Sequence, residues 1–150
     1  MDEYLEIYSN KIKSIYESYE PKVEVIEKIN NLLENKNQEL KIVTLGADWC
    51  PDCSRNTPKM IKIIKYLNMG AVNMHILYGI MVNALHKPGE TIWHKDHSPT
   101  EAVNPKFDLK KIPTIYFFDK MGEYLGVIVE NPKRGSTLEE EILEIIVENI

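Results

Sequence analysis

Apolar residues recur along this chain at two spacings, and the alternation between the two predicts its elements. Over residues 3–19, Tyr4, Leu5, Tyr8, Ile12, Ile15, Tyr16 and Tyr19 fall at helical spacing. Pro21 breaks that pattern and suits the first turn of a following helix, where its fixed φ fits and its missing N–H is not needed. Val23, Ile26, Ile29 and Leu33 mark one face of that second helix, which fades in the polar run 34–39. Leu40 to Leu45 is an apolar run of strand length. From Pro51 to about Asn68 the helical period returns through Met60, Ile61, Ile63, Ile64 and Leu67. Asn73 to Val82 is mostly apolar and reads as a strand. Residues 85–108 hold Pro88, Gly89, Pro99 and Pro105 and read as a long loop with room for a helical turn. Thr114 to Phe118 is a strand, Asp119 to Gly122 a turn, and Tyr124 to Val129 the returning arm of a hairpin. Ser136 and Glu139 have the spacing of a capping box, opening a last helix whose face is Leu138, Ile142, Ile145 and Ile146.

The resulting order is α-α-β-α-β-loop-β-β-α. Strands joined by helices and followed by a hairpin predict an α/β fold, a central mixed sheet flanked by helices. No linker or repeat divides the chain. Its 150 residues are expected to form one domain, with N-terminal helices over 1–37 and a core over 40–150.

Composition narrows the partners. A net charge of −5 without a basic block or an aromatic-basic stripe argues against nucleic acid and against an anionic membrane surface. No apolar stretch is long enough to span a bilayer. The acidic start, with no apolar signal segment, predicts a cytoplasmic protein. Thiols there are kept mostly reduced, and any disulfide is transient.

The chemistry concentrates in Trp49-Cys50-Pro51-Asp52-Cys53, which holds both cysteines of the chain. It follows a strand and opens a helix. Two thiols at this spacing, in this setting, can make and break a disulfide. With Cys50 as N-cap and Pro51 at the first helical position, the N–H groups of Asp52 and Cys53 remain to stabilise a Cys50 thiolate. Asp48 and Asp52 work against that, since a nearby carboxylate disfavours a thiolate. Cys50 is therefore expected to be moderately activated. Cys53, inside the first turn, is expected to be more buried and harder to ionise. That asymmetry assigns attack to Cys50 and resolution to Cys53.

These residues resemble the thioredoxin family. Trp49, Cys50 and Cys53 fall on its W-C-x-x-C motif, and Pro58, eight residues after Cys50, falls where that family kinks the active-site helix. Lys111-Ile112-Pro113-Thr114 matches the segment that carries the family's cis-proline, and Gly122-Glu123 the following hairpin turn. The likeness spans roughly residues 40–150, judged by element order. It implies a thioredoxin-like fold, a thiol–disulfide oxidoreductase that reduces protein or small-molecule disulfides, and substrate docking on Trp49, Pro51, Ile112 and Pro113. It also implies that Ile112 pairs with an extended substrate segment by strand addition. The departures are as informative. Pro51-Asp52 replaces the family's Gly-Pro, Thr44 stands where its buried Asp assists resolution, and two helices replace its opening strand and helix. Asp52, or water, is then expected to take the Cys53 proton.

No organic cofactor is required beyond the redox-active Cys50–Cys53 disulfide. The expected partners are disulfide-bearing proteins or small thiols and an upstream reductase, acting on a monomer. Two other readings stay open. Cys-Pro-x-Cys also suits a glutaredoxin-like enzyme using a small thiol, with Lys110, Lys111 and Lys133 as the available cations for its carboxylates. A binding module with a structural or passive dithiol is the third. A zinc site lacks a second cysteine pair, so no metal is expected. His86, His94 and His97, with Glu90 and Asp96, match no zinc spacing and read as polar loop residues, and His75 as a core or edge residue. Lys110, Lys111 and the stretch 139–141 read as solvated ends.

Overall fold

Alternation along β1 (Leu40–Leu45) sorts its side chains onto two sides of a sheet: Leu40 and Ile42 enter one core, Val43 and Leu45 the other. The computed structural model describes the chain apart from residues 1–9, 69, 84, 86, 89, 90, 95, 105 and 106. Around β1 lie α1 (Asn10–Ser18), α2 (Val23–Asn35), α3 (Pro51–Tyr66), β2 (Val72–Leu77), a single turn α4 (Thr100–Val103), β3 (Thr114–Phe118), β4 (Tyr124–Val129) and α5 (Leu138–Asn149). The strands run in the order β2-β1-β3-β4. β1 is parallel to β2 and antiparallel to β3, and β3 is antiparallel to β4. This is the expected mixed sheet flanked by helices.

One face of the sheet is covered by helices. Ile12 of α1, Ile26, Ile29 and Leu33 of α2, Met60, Ile61 and Ile63 of α3, and Ile142 and Ile146 of α5 pack on Leu40, Ile42, Ile115 and Phe117. α1 lies against α3 and α2 against α5, so the N-terminal helices cover a sheet face. Tyr16 and Tyr19 sit under the ammonium groups of Lys62 and Lys59. Tyr4 and Tyr8 lie outside the described residues.

The other face is covered by the stretch between β2 and β3 together with the head of α3. Ile80, Trp93, Ala102, Leu109 and Ile112 come from that stretch and pack on Leu45, Tyr116 and Phe118. Trp93 is buried, and its indole N–H donates to the Leu109 carbonyl at 2.7 Å. Val82 bridges Trp93 in antiparallel fashion, with Asn83 N–H to Ile92 O and His94 N–H to Met81 O, each 2.7 Å.

Several boundaries differ from the periodicity. α2 begins at Val23 with Lys22 as N-cap, so Pro21 precedes the helix and Val23 is exposed. β2 stops at Leu77, because Gly79 turns the chain at φ +92° and Tyr78 folds onto Gly46. The capping box of α5 is Thr137 with Glu140, one residue beyond the expected pair. That shift carries Glu139 and Glu141 inward, and neither is a solvated end. Glu139 accepts from the Tyr19 hydroxyl at 2.5 Å and from Lys22 N–H at 3.2 Å, while Glu141 accepts from Lys133 N–H at 2.9 Å. Each carboxylate thereby ties the start of α5 to a connecting segment, Glu139 to Tyr19 and Lys22 and Glu141 to Lys133. Burial pushes the Glu141 carboxyl above the ordinary range.

Candidate active site

Cys50 caps α3 from an extended backbone conformation, and Pro51 follows at the first helical position. Its Sγ accepts the N–H of Cys53 at 3.2 Å. On its other side the thiol donates to the Ile112 carbonyl at 3.6 Å. The Ile112–Pro113 peptide bond is cis. The two sequence segments singled out for chemistry, 49–53 and 112–113, thus meet at one sulfur atom. Cys50 is 5% exposed and Cys53 fully buried, and both are free thiols here.

The two thiols are unequal. Burial, first of all, pushes the Cys53 thiol well above its ordinary value. The hydrogen bond with Cys50 and the charges of Cys50 and Asp52 add to that, while a backbone hydrogen bond from Ala47 works the other way. Behind Cys53 the packing is tight. A Cβ placed on Gly46 would lie 2.7 Å from the Tyr78 ring and 3.1 Å from Cys53 Sγ. The Tyr78 hydroxyl is hydrogen-bonded with Thr57 at 2.8 Å, which anchors the ring. Thr44, at the position expected to lack an acid, is fully buried and donates to the Met74 sulfur at 3.5 Å.

Trp49 is half exposed beside Cys50, and its indole N–H is tethered to the Ile80 carbonyl at 2.8 Å. Pro51 is exposed, while Ile112 and Pro113 are buried. The Asp52 carboxylate is engaged by the Arg55 guanidinium, an ion pair on the surface of α3. Arg55 also donates to Asn131 Oδ1 at 3.1 Å.

Four residues near the site carry no motif and are missed by sequence reasoning: Gly46, Asn56, Tyr78 and Glu130. The Asn56 carboxamide, almost wholly buried, donates to the Asp52 and Glu130 carbonyls and to Asn131 Oδ1. Glu130 is in a left-handed conformation, φ 62°, and its N–H donates to the Pro113 carbonyl at 2.7 Å. A polar residue at a helical position that the apolar period leaves unassigned was the one available signal for Asn56.

The histidines lie elsewhere. The rings of His94 and His97 stand 4.3 Å apart, and His94 Nδ1 accepts from Asp96 N–H. His86 and Glu90 lie outside the described residues. His75 is exposed on the edge strand β2. Among the described residues no group of three His, Cys, Asp or Glu could hold a metal ion. None of their helices is long and apolar enough to cross a membrane.

A family model described as thioredoxin matches residues 1–77. That span takes in the N-terminal helices, which lie outside the motif likeness over 40–150, and it ends with β2. No curated protein sequence matches the chain. Among solved structures, a protein of unknown function from Pseudomonas aeruginosa is similar at TM-score 0.63 and 15% identity, covering 93% of this chain and 84% of that one. An HIV epitope scaffold is similar at TM-score 0.61 and 15% identity, with the same coverages. Fasciola hepatica thioredoxin aligns at TM-score 0.47 and 19% identity, covering 81% of this chain and 91% of its own. The first two likenesses show a shared fold. With the family match over more than half its length, and a Cys-x-x-Cys pair at the head of α3, this chain belongs to the thioredoxin family.

Proposed function

We propose that this protein is a cytoplasmic thiol–disulfide oxidoreductase that reduces disulfides through Cys50 and Cys53. The observation that carries the reading is the asymmetry of the pair. Cys50 Sγ sits at a helix N-terminus accepting an N–H, while Cys53 is fully buried with its thiol held protonated. In the first step the Cys50 thiolate attacks one sulfur of a substrate disulfide. An S–S bond forms between Cys50 and that sulfur, the substrate bond breaks, and the other sulfur leaves as a thiolate. Cys53 then loses its proton and attacks Cys50 Sγ, which releases the second substrate thiolate and closes the Cys50–Cys53 disulfide. Two electrons pass from the dithiol to the substrate. An upstream reductase or a small thiol must return them.

Trp49, Pro51, Ile112 and Pro113 form the docking surface in this reading. Trp49 offers an exposed ring tethered by its N–H, and Ile112 offers a carbonyl already facing Cys50. Asp52, or water, accepts the Cys53 proton. Asp52 also disfavours a Cys53 thiolate by its charge, so its two effects oppose each other. Asp52→Asn is expected to slow single-turnover resolution of a trapped mixed disulfide. Unchanged or faster resolution removes Asp52 as proton acceptor.

The test is equilibration in thiol buffers with mass-shift alkylation, followed by turnover of a protein disulfide. An intramolecular disulfide with a potential near about −270 mV supports the reductase reading, and one above roughly −200 mV favours coupling to small thiols. Cys53→Ser should accumulate a mixed disulfide on Cys50, and Cys50→Ser should abolish turnover. If no intramolecular disulfide forms in any buffer, the enzymatic reading fails and the binding module takes its place.

A further inference from the structure

We infer that Asn56 is a positioning residue that holds the Ile112–Pro113 segment at the level of Cys50; this rests on the reading of that segment as the docking surface for a protein disulfide. Asn56 lies one turn along α3 from Asp52 and is 2% exposed. Its Nδ2 reaches three acceptors: Asp52 O at 3.0 Å, Glu130 O at 2.9 Å and Asn131 Oδ1 at 2.8 Å. The last two belong to the turn that ends β4. That same turn reaches the docking segment, because Glu130 N–H donates to Pro113 O at 2.7 Å.

A closed path results: Cys50, α3, Asn56, Glu130, Pro113, Ile112 and back to Cys50 Sγ. The direct closure from Cys50 to Ile112 is a sulfur contact at 3.6 Å, a weak donor on a long bond. The Asn56 and Glu130 links are short hydrogen bonds from amide N–H groups, so they set the spacing and the thiol follows it. Two further features mark the turn as held from outside. Glu130 keeps a left-handed backbone without being glycine, a conformation that persists when neighbours over-determine it. Asn131 Oδ1 is shared by Asn56 and Arg55, so α3 grips the turn with two side chains one residue apart. An apolar side chain at Asn56 would leave the Glu130 carbonyl without this donor.

A protein substrate has to place its disulfide on Cys50 while its backbone lies along Ile112. Asn56 therefore acts on docking, and not on the exchange between Cys50 and Cys53, which share one helical turn. The test compares wild type with Asn56→Asp, which keeps the shape and loses the donors, and with Phe117→Leu as a destabilised control in the opposite core. The probes are insulin, a protein disulfide, and 5,5′-dithiobis(2-nitrobenzoate), a small one. Asn56→Asp is expected to raise KM for insulin about tenfold, with kcat and the rate on the small disulfide within about twofold. Phe117→Leu should lower Tm without that split. Equal KM for wild type and Asn56→Asp overturns the proposal, as does an equal loss on both probes. Wild type that reduces neither probe sinks both the functional reading and this one. Should Asn56→Asp fail to fold, Asn56→Ala, which also lacks the carboxamide donors, takes its place in the same two-probe comparison and the same outcomes decide.

Discussion

The two faces of the sheet are built in different ways, and the chemistry sits on the less regular one. The helix-covered core joins four helices to all four strands through apolar side chains at repeating positions. The loop-covered core has Cys50, Cys53 and Ile112 among its members. Apart from the sheet and the head of α3, it is closed by single residues of an irregular stretch: Ile80, Trp93, Ala102 and Leu109. The first gives the domain its stability through contiguous burial. The second leaves backbone carbonyls and N–H groups free to be aimed, so Ile80 O holds Trp49 and Ile112 O faces Cys50. Functional groups are often carried on irregular segments fixed by a rigid scaffold, and here the candidate site and the larger apolar core lie on the two sides of one sheet.

The division is broken most directly at Phe117, which is fully buried in the helix-covered core. Phe117→Ala should cost about 3–5 kcal/mol of global stability, through lost burial and a cavity the helices cannot fill. Urea unfolding would measure it, and below the transition the alkylation rate of Cys50 should be unchanged. If Cys50 reactivity moves in step with stability, the two cores are one cooperative unit. Gly46→Ala is the corresponding change behind the thiols. Its methyl group meets the anchored Tyr78 ring and Cys53 Sγ, and overpacking of this kind costs about 1–3 kcal/mol. Here the resolving step should slow as well, which single-turnover kinetics would detect. Trp93→Phe keeps a ring and loses the bond to Leu109 O, leaving a carbonyl without its indole partner at about 1–3 kcal/mol. Faster amide exchange is expected within the cover of that face, with the α2 and α5 amides unaffected; uniform acceleration would show that the cover does not open independently.

How much of this was legible follows the same division. The strands β1, β3 and β4 and the α3 face announce themselves by period, because each buries a repeating set of side chains. The cysteine pair is legible because its residue types and its place after a strand are both local. The cover of the second face is not. Ile80, Trp93 and Leu109 are widely separated single anchors, and what orders them is contact across the fold, such as the indole bond to Leu109 O. The inward turn of Glu139 depends on a one-residue shift of the capping box, and its partners Tyr19 and Lys22 are more than a hundred residues away. Asn56 offers only a polar residue at an unassigned helical position, since two of its three acceptors lie just past the end of β4.

Alkaline pH offers the smallest and most selective test of the comparison. A thiol whose folded pKa is raised stays protonated in the native state while the unfolded chain ionises. Its stabilising contribution is whole below the unfolded pKa, about 8.5, and is lost as pH rises toward the folded value. While the unfolded state has released one proton that the native state keeps, stability falls by up to about 1.4 kcal/mol per pH unit. Tyr116, pushed up to about 12 by burial first and then by the Asp108 charge, adds to the loss only above the ordinary tyrosine value of about 10. Tyr19, raised by burial and its bond to Glu139, joins in the same range from the helix-covered side. Among the described residues, the loss between about pH 8.5 and 10 therefore belongs to Cys53. Urea midpoints across that window should slope downward in the reduced protein and flatten in Cys53→Ala, whatever offset the substitution adds. An equal slope in both would mean that Cys53 ionises as freely in the folded chain as in the unfolded one, and the asymmetry that assigns it the resolving role would be gone.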